Sequence, residues 1–488
     1  MSLPLPLPPS LALLDETLRA VARRYRLPAI GAVSEHIGEA NPATALAVAI
    51  EQARMALANG EVPGAALKHL FIESLARMVR EAMRADAGDP VFQAMVLRHR
   101  VAHVREYASL SARAEQDRRM VLSAVNAVAH PNKQQRIAPG AQREEMARLH
   151  ASASASSWAA LHDTVRRLLA MPAISDGTPN ATSIQRALTP LLDSPALERL
   201  RRLEALSSDA LVRQYRSLWE RHGPRSGTAT ATAHGVSSRQ RGAAVEALAA
   251  QALRALAQRL NEREGASAPY RVVTSMRVPA SLPASHERAK TEWDAVLLRR
   301  ATRDDKSDDR VAHEAADEAD DETPVWDVCL LVEAKASADA VTTDLPRLLR
   351  GLRLLAHAEE HVIYAFQTEQ ETVRLRGASL RALPTDEAGL ASRVLYCTDA
   401  PAESNPRLLG AAARMQLLSA PASLEFASEL AEKQDADPRK LEPVWHPLLE
   451  SRQWAAVLNQ YRTLQRGREL MVHTDDLLSA ICDVGQGS

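Results

Sequence analysis

Aromatic residues make up only 3% of this 488-residue chain, and cysteine occurs three times. Few aromatics argue against an all-β architecture, which uses Tyr, Phe and Trp to fill pleated faces. The abundance of Ala, Leu and Arg points to helix instead. Cys329, Cys397 and Cys482 lie far apart with no CxxC pair. That argues against a disulfide framework and a cysteine-based zinc site, and it fits a reducing, cytoplasmic setting. No stretch reaches the run of about 18 apolar residues that a membrane span needs. The opening MSLPLPLPPSLALL has no basic n-region and is broken by prolines, so it does not read as a signal peptide. GxxxxGK[ST], GxSxG and GxGxxG are also missing. ATP-driven, serine-hydrolase and Rossmann readings therefore lack support.

What remains is an ordinary globular balance, 46% hydrophobic and 25% charged, long enough for about two to four domains. The net charge of -1 hides an asymmetry. Residues 1–225 hold 29 Lys and Arg against 22 Asp and Glu, while the rest holds 31 against 39. Most of the later deficit lies in RDDKSDDRVAHEAADEADDET (303–323), with ten acids and three bases. Such a block reads as a solvated loop. The Arg-rich first half permits contact with phosphate.

Apolar residues recur at helical spacing through 1–222, giving a large all-α N-terminal domain. GPRSGTATATAHGVSS (223–238) is rich in Gly, Thr and Ser and reads as a linker. A mixed α and β domain follows over 239–404. It has a helix at Arg239–Leu260 and strands at Tyr270–Val278, Thr291–Arg300, Trp326–Lys335, His361–Thr368 and Ser392–Thr398, with a helix after the third strand. Residues 405–488 read as a helical C-terminal region.

The third strand carries the informative stretch, VCLLVEAKAS (328–337). Residues two apart share a strand face, so Glu333 and Lys335 lie side by side at its end. Buried charge must be paired, solvated or bound, and on this stretch alone an ion pair at a strand terminus is a sufficient account. Asp294 follows Trp293 on the preceding strand, and Glu246 follows Gly242 by four residues on the leading helix. Gly242-x-x-x-Glu246, Asp294 and Glu333-Ala334-Lys335, in the order helix, strand, strand, resemble the PD-(D/E)XK nuclease superfamily. The resemblance covers 239–398.

It implies a restriction-endonuclease-like αβββαβ core and hydrolysis of a phosphodiester with Mg²⁺ or Mn²⁺. Asp294, Glu333 and the Ala334 carbonyl would be ligands, Glu246 would support the cation, and Lys335 would act on the water. Hard divalent cations prefer such oxygen ligands. Two departures stand out: Trp293 replaces the proline of the family name, and the acidic block lengthens the path from Asp294 to Glu333. The implied partner is nucleic acid, DNA ahead of RNA, with no membrane. The N-terminal helices could instead hold a protein partner, and the rival reading of the whole is a non-catalytic scaffold on the same fold.

Weaker candidates are Arg347 and Arg350, three apart on one helix face and able to reach a phosphate. Gln367, at a strand end, reads as a hydrogen-bonding residue. His99 and His103 have the i, i+4 spacing of zinc ligands but no third ligand in sequence, and read as exposed histidines.

Overall fold

The computed structural model describes residues 9–34, 40–175, 178–222, 229–265, 269–301, 324–386 and 389–483. The protein is helix-rich with one mixed sheet, and it divides into two compact units. One comprises residues 1–75, 226–417 and 442–488, and the other 76–225 and 418–441.

The first unit holds the sheet. Strands β1 (Tyr270–Arg277), β2 (Glu292–Arg300) and β3 (Val325–Ala334) form an antiparallel meander. β4 (Ile363–Gln367) and β5 (Thr372–Arg376) form a hairpin. β6 (Val394–Thr398) runs parallel to β3, and β7 (Met471–His473) parallel to β6. The hairpin touches β1 through Arg277 and Gln367, and β3 through Val325 with Arg374 and Trp326 with Leu375. These pairings close β1, β2, β3, β5 and β4 into a five-stranded ring.

Helices cover both faces. The leading helix, Ala229–Glu264, packs Ala249, Leu253, Leu256 and Leu260 with Leu297, Leu330 and Val332. The crossover helix, Val341–Ala356, aligns Val341, Leu345, Leu348, Leu352 and Leu355 as one stripe and packs it with Val296, Leu331 and Tyr396. A strand covered on both faces reads as a nearly unbroken apolar run, which explains CLLV. The run hides a bulge: Leu297 pairs with Leu330 but Leu298 with Val328, leaving Cys329 as the extra residue. Cys329 and Leu330 consequently both pack on the leading-helix side.

Several sequence expectations change here. Residues 229–238 are helix rather than linker. Once nucleated, a helix extends through Thr and Ser at small cost per residue, and no proline interrupts this stretch. Residues 1–75 go with the sheet unit, because Leu14, Leu18 and Val21 bury with the leading helix. The C-terminal region is not purely helical, since it supplies β7. The acidic block 303–323 lies outside the described residues. Its flanks, Arg300 and Val325, are at the strand ends far from Asp294 and Glu333.

The second unit is helical. Val125, Met146, Leu149, Trp158, Leu161, Val165 and Leu188 form its main core. All three cysteines are free.

Candidate active site

Pairing of β2 with β3 runs through Val296 with Leu331 and Ala295 with Val332. One further step brings Asp294 opposite Glu333, and opposed residues of an antiparallel pair share a face. The strand ends are tied firmly. Asp294 Oδ2 accepts from the Ala334 amide at 2.8 Å, and the Lys335 amide donates to the Cys397 carbonyl at 2.9 Å.

Glu333 is fully buried. Its Oε2 accepts from the Lys290 ammonium and, at 3.2 Å, from the Lys335 ammonium. Its Oε1 has no hydrogen-bond partner. Lys290 Nζ also lies 4.0 Å from Asp294 Oδ1. Lys335 Nζ lies 3.4 Å from Asp344 Oδ2 and 5.9 Å from the centre of the Tyr396 ring, and the Tyr396 hydroxyl donates to Asp344 at 3.0 Å. Two lysines and three carboxylates thus share one strand end. Glu246 adds a fourth acid close enough to sense Asp294 and Lys335, although its side chain is on the exposed side of the leading helix.

The electrostatics follow from burial. Glu333 is pushed up to about 8 by burial and then by the Asp294 charge, against the pull of Lys290 and Lys335. Burial lowers the Lys335 ammonium, but Glu333, Asp344 and Asp294 outweigh it and leave that group above its ordinary value. Lys335 therefore stays charged at neutral pH. Glu246 is raised by burial and by Asp294, and Tyr396 by burial and Asp344.

Lys290, Asp344 and Tyr396 were not singled out from sequence. Lys290 sits in the irregular segment before β2, where no periodicity marks a face, and Tyr396 looks like ordinary core on β6. The sole local hint is that Lys290 precedes Asp294 by four residues. The crossover helix holds this segment down. Lys290 N donates to the Arg347 carbonyl at 3.2 Å, and Arg350 Nε to the Arg288 carbonyl at 2.8 Å. A Cβ on Gly351 would stand 2.8 Å from both Lys290 Cβ and Lys290 O, so only glycine permits this approach.

Among the described residues, the side chains of the other sequence candidates make no hydrogen bond or ion pair with these acids. Arg347 and Arg350 are exposed, and the Arg350 guanidinium is engaged with backbone rather than with the acids. Gln367 is an exposed end of β4 paired with Arg277. His99 lies 3.3 Å from Glu425 and His103 lies 3.2 Å from Asp209, so each ring has its own acid and the two share no ligand set.

Among the described residues, no three His, Cys, Asp or Glu side chains form a ready metal-ligating group. The donor set nonetheless suits a hard divalent cation. Three carboxylates meet two ammonium groups, Glu246 lies within electrostatic reach, and a fully buried carboxylate oxygen is left without a partner. Unpaired buried polar atoms are costly enough to need an explanation. No family model, curated protein or solved structure matches the chain.

Proposed function

We propose that this chain is a divalent-metal-dependent nuclease of the PD-(D/E)XK type that hydrolyses phosphodiester bonds, in DNA ahead of RNA. The observation that carries the reading is Glu333: fully buried, raised to about 8, with one oxygen unpartnered and with Asp294 opposite it. Both ammonium groups use one oxygen of this carboxylate, and the unpartnered oxygen supports a further ligand there. The chain order of leading helix, three antiparallel strands, crossover helix and parallel β6 supports the αβββαβ reading, with the β4–β5 hairpin as an insertion.

In this proposal Asp294 and Glu333 would hold a cation, with the Ala334 carbonyl and Glu246 as further oxygen donors. A bound Mg²⁺ or Mn²⁺ would supply Lewis acidity toward the phosphoryl oxygen and a more acidic water. Lys335, kept charged by Glu333 and Asp344, orients the attacking water and offsets the negative charge that develops on phosphorus oxygens. The water oxygen bonds to phosphorus and gives up a proton to solvent, the P–O ester bond breaks, and the leaving oxygen takes a proton from solvent. Tyr396 and Asp344 act through Lys335 by fixing its ammonium.

Supercoiled plasmid and single-stranded DNA incubated with Mg²⁺ or Mn²⁺ test the reading. Cleavage should need the cation, stop with chelator and be lost in Asp294→Asn. Full cleavage in excess chelator would overturn it. One observation favours the second reading, a non-catalytic scaffold that binds nucleic acid or protein: the Lys290 ammonium sits against both carboxylates. Binding of DNA with no cleavage under any divalent cation would select it.

A further inference from the structure

Lys290 touches the two carboxylates that the proposed function assigns to the cation, hydrogen-bonding Glu333 Oε2 and lying 4.0 Å from Asp294 Oδ1. We propose that the Lys290 ammonium is a built-in substitute for the divalent cation, holding the space between Asp294 and Glu333 until the cation displaces it. This inference rests on the metal reading of the site.

Three features carry it. Glu333 already has Lys335 as a counter-ion, so a second ammonium on the same oxygen is surplus to simple pairing, while Oε1 stays bare. The two lysines also differ in what else holds them. Lys335 keeps Asp344 and the Tyr396 ring if Glu333 turns to a cation, whereas the only ion pairs of Lys290 among the described residues are with Asp294 and Glu333. Repulsion from an incoming dication would therefore expel Lys290 and leave Lys335 in place. Finally, the Lys290 backbone is fixed against Arg347 and Gly351. Only its flexible four-carbon stem needs to move.

A site whose binding-competent form is only partly populated shows a weakened apparent affinity. Removing the competitor should restore it. Mn²⁺ binding measured by calorimetry on the full chain should be about ten-fold tighter or more in Lys290→Gln and Lys290→Met than in the parent. The Mn²⁺-induced rise in Tm should also be larger. Asp294→Asn should bind no Mn²⁺ in either background. If the parent binds Mn²⁺ and loses it in Asp294→Asn, but the Lys290 variants bind no tighter, the substitute role falls and the metal reading stands. If none of them binds Mn²⁺, both fall. A readout on the unmodified chain covers variants that fold poorly. Mg²⁺ should increase the labelling of Lys290 by an amine-reactive reagent, followed by mass spectrometry, while Lys335 stays protected. Unchanged Lys290 labelling on saturation with Mg²⁺ would overturn the proposal.

Discussion

In the helical unit, Asp117 is 2% exposed and both its oxygens are held by one partner, Arg199, at 2.8 and 2.6 Å. In the sheet unit, Glu333 is 0% exposed, crowds two ammonium groups onto one oxygen and leaves the other bare. The first arrangement is closed: a planar fork meets a planar carboxylate and nothing more is required. The second is unfinished in a way that costs free energy unless something else binds there. The two buried acids thus contrast a carboxylate paired at both oxygens with one that keeps an oxygen unpartnered. Arg202 forks Glu106 in the same way, while Arg148 and Arg167 take one oxygen each of Glu145.

The largest expected effect separates the two acids by activity. Glu333→Gln should lower metal-dependent cleavage by about 10³-fold, with circular dichroism unchanged. Arg199→Ala, which strands Asp117, should lower stability while leaving cleavage per folded molecule within a few-fold. Denaturant titration and cleavage kinetics on both variants check the contrast. Equal losses of activity in the two would erase it. Next, Lys335→Met should slow cleavage by about 10²-fold, measured at saturating Mg²⁺ so that binding is not limiting.

Legibility in sequence followed the same division. Asp294, Glu333 and Lys335 could be read because each ends or begins an apolar run on a strand, and strand parity places side chains without knowing the fold. Lys290, Asp344 and Tyr396 could not, because their roles depend on which segments meet after β2 pairs with β3 and β3 with β6. The same limit hid β5 and β7, which have five and three residues and are held by neighbours distant in sequence. The Gly/Thr/Ser composition of 229–238 was misleading, since helix extension from a well-packed segment overrides weak local propensity.

Acidity offers a third test. The Glu333 carboxyl is raised from an ordinary 4.5 to about 8, so the metal-free folded state binds its proton more tightly than the unfolded state does. Stability should be full below about 4.5, fall as pH rises toward about 8, and level off above it, by up to about 1.4 kcal/mol per pH unit. Thermal melts of the parent and Glu333→Gln across that window, without divalent cation, should differ in slope. Parallel curves would show that Glu333 titrates as an exposed acid does. The smallest effect belongs to Gly351→Ala. Its methyl would push on Lys290, costing about 1–3 kcal/mol, and a fall in cleavage of about ten-fold is expected if the displaced segment carries Asp294 with it. Unchanged stability in denaturant would mean that the helix shifts freely.

The contrast between the two buried acids reduces to whether a cation completes the Glu333 site. Anomalous diffraction from crystals of the full chain soaked in Mn²⁺ addresses this directly. The account requires a single strong peak within about 2.0–2.5 Å of carboxylate oxygens from both Asp294 and Glu333, with Lys290 turned away and none at Asp117. A map with no peak at Asp294 and Glu333, and Lys290 still bridging them at saturating Mn²⁺, would contradict it.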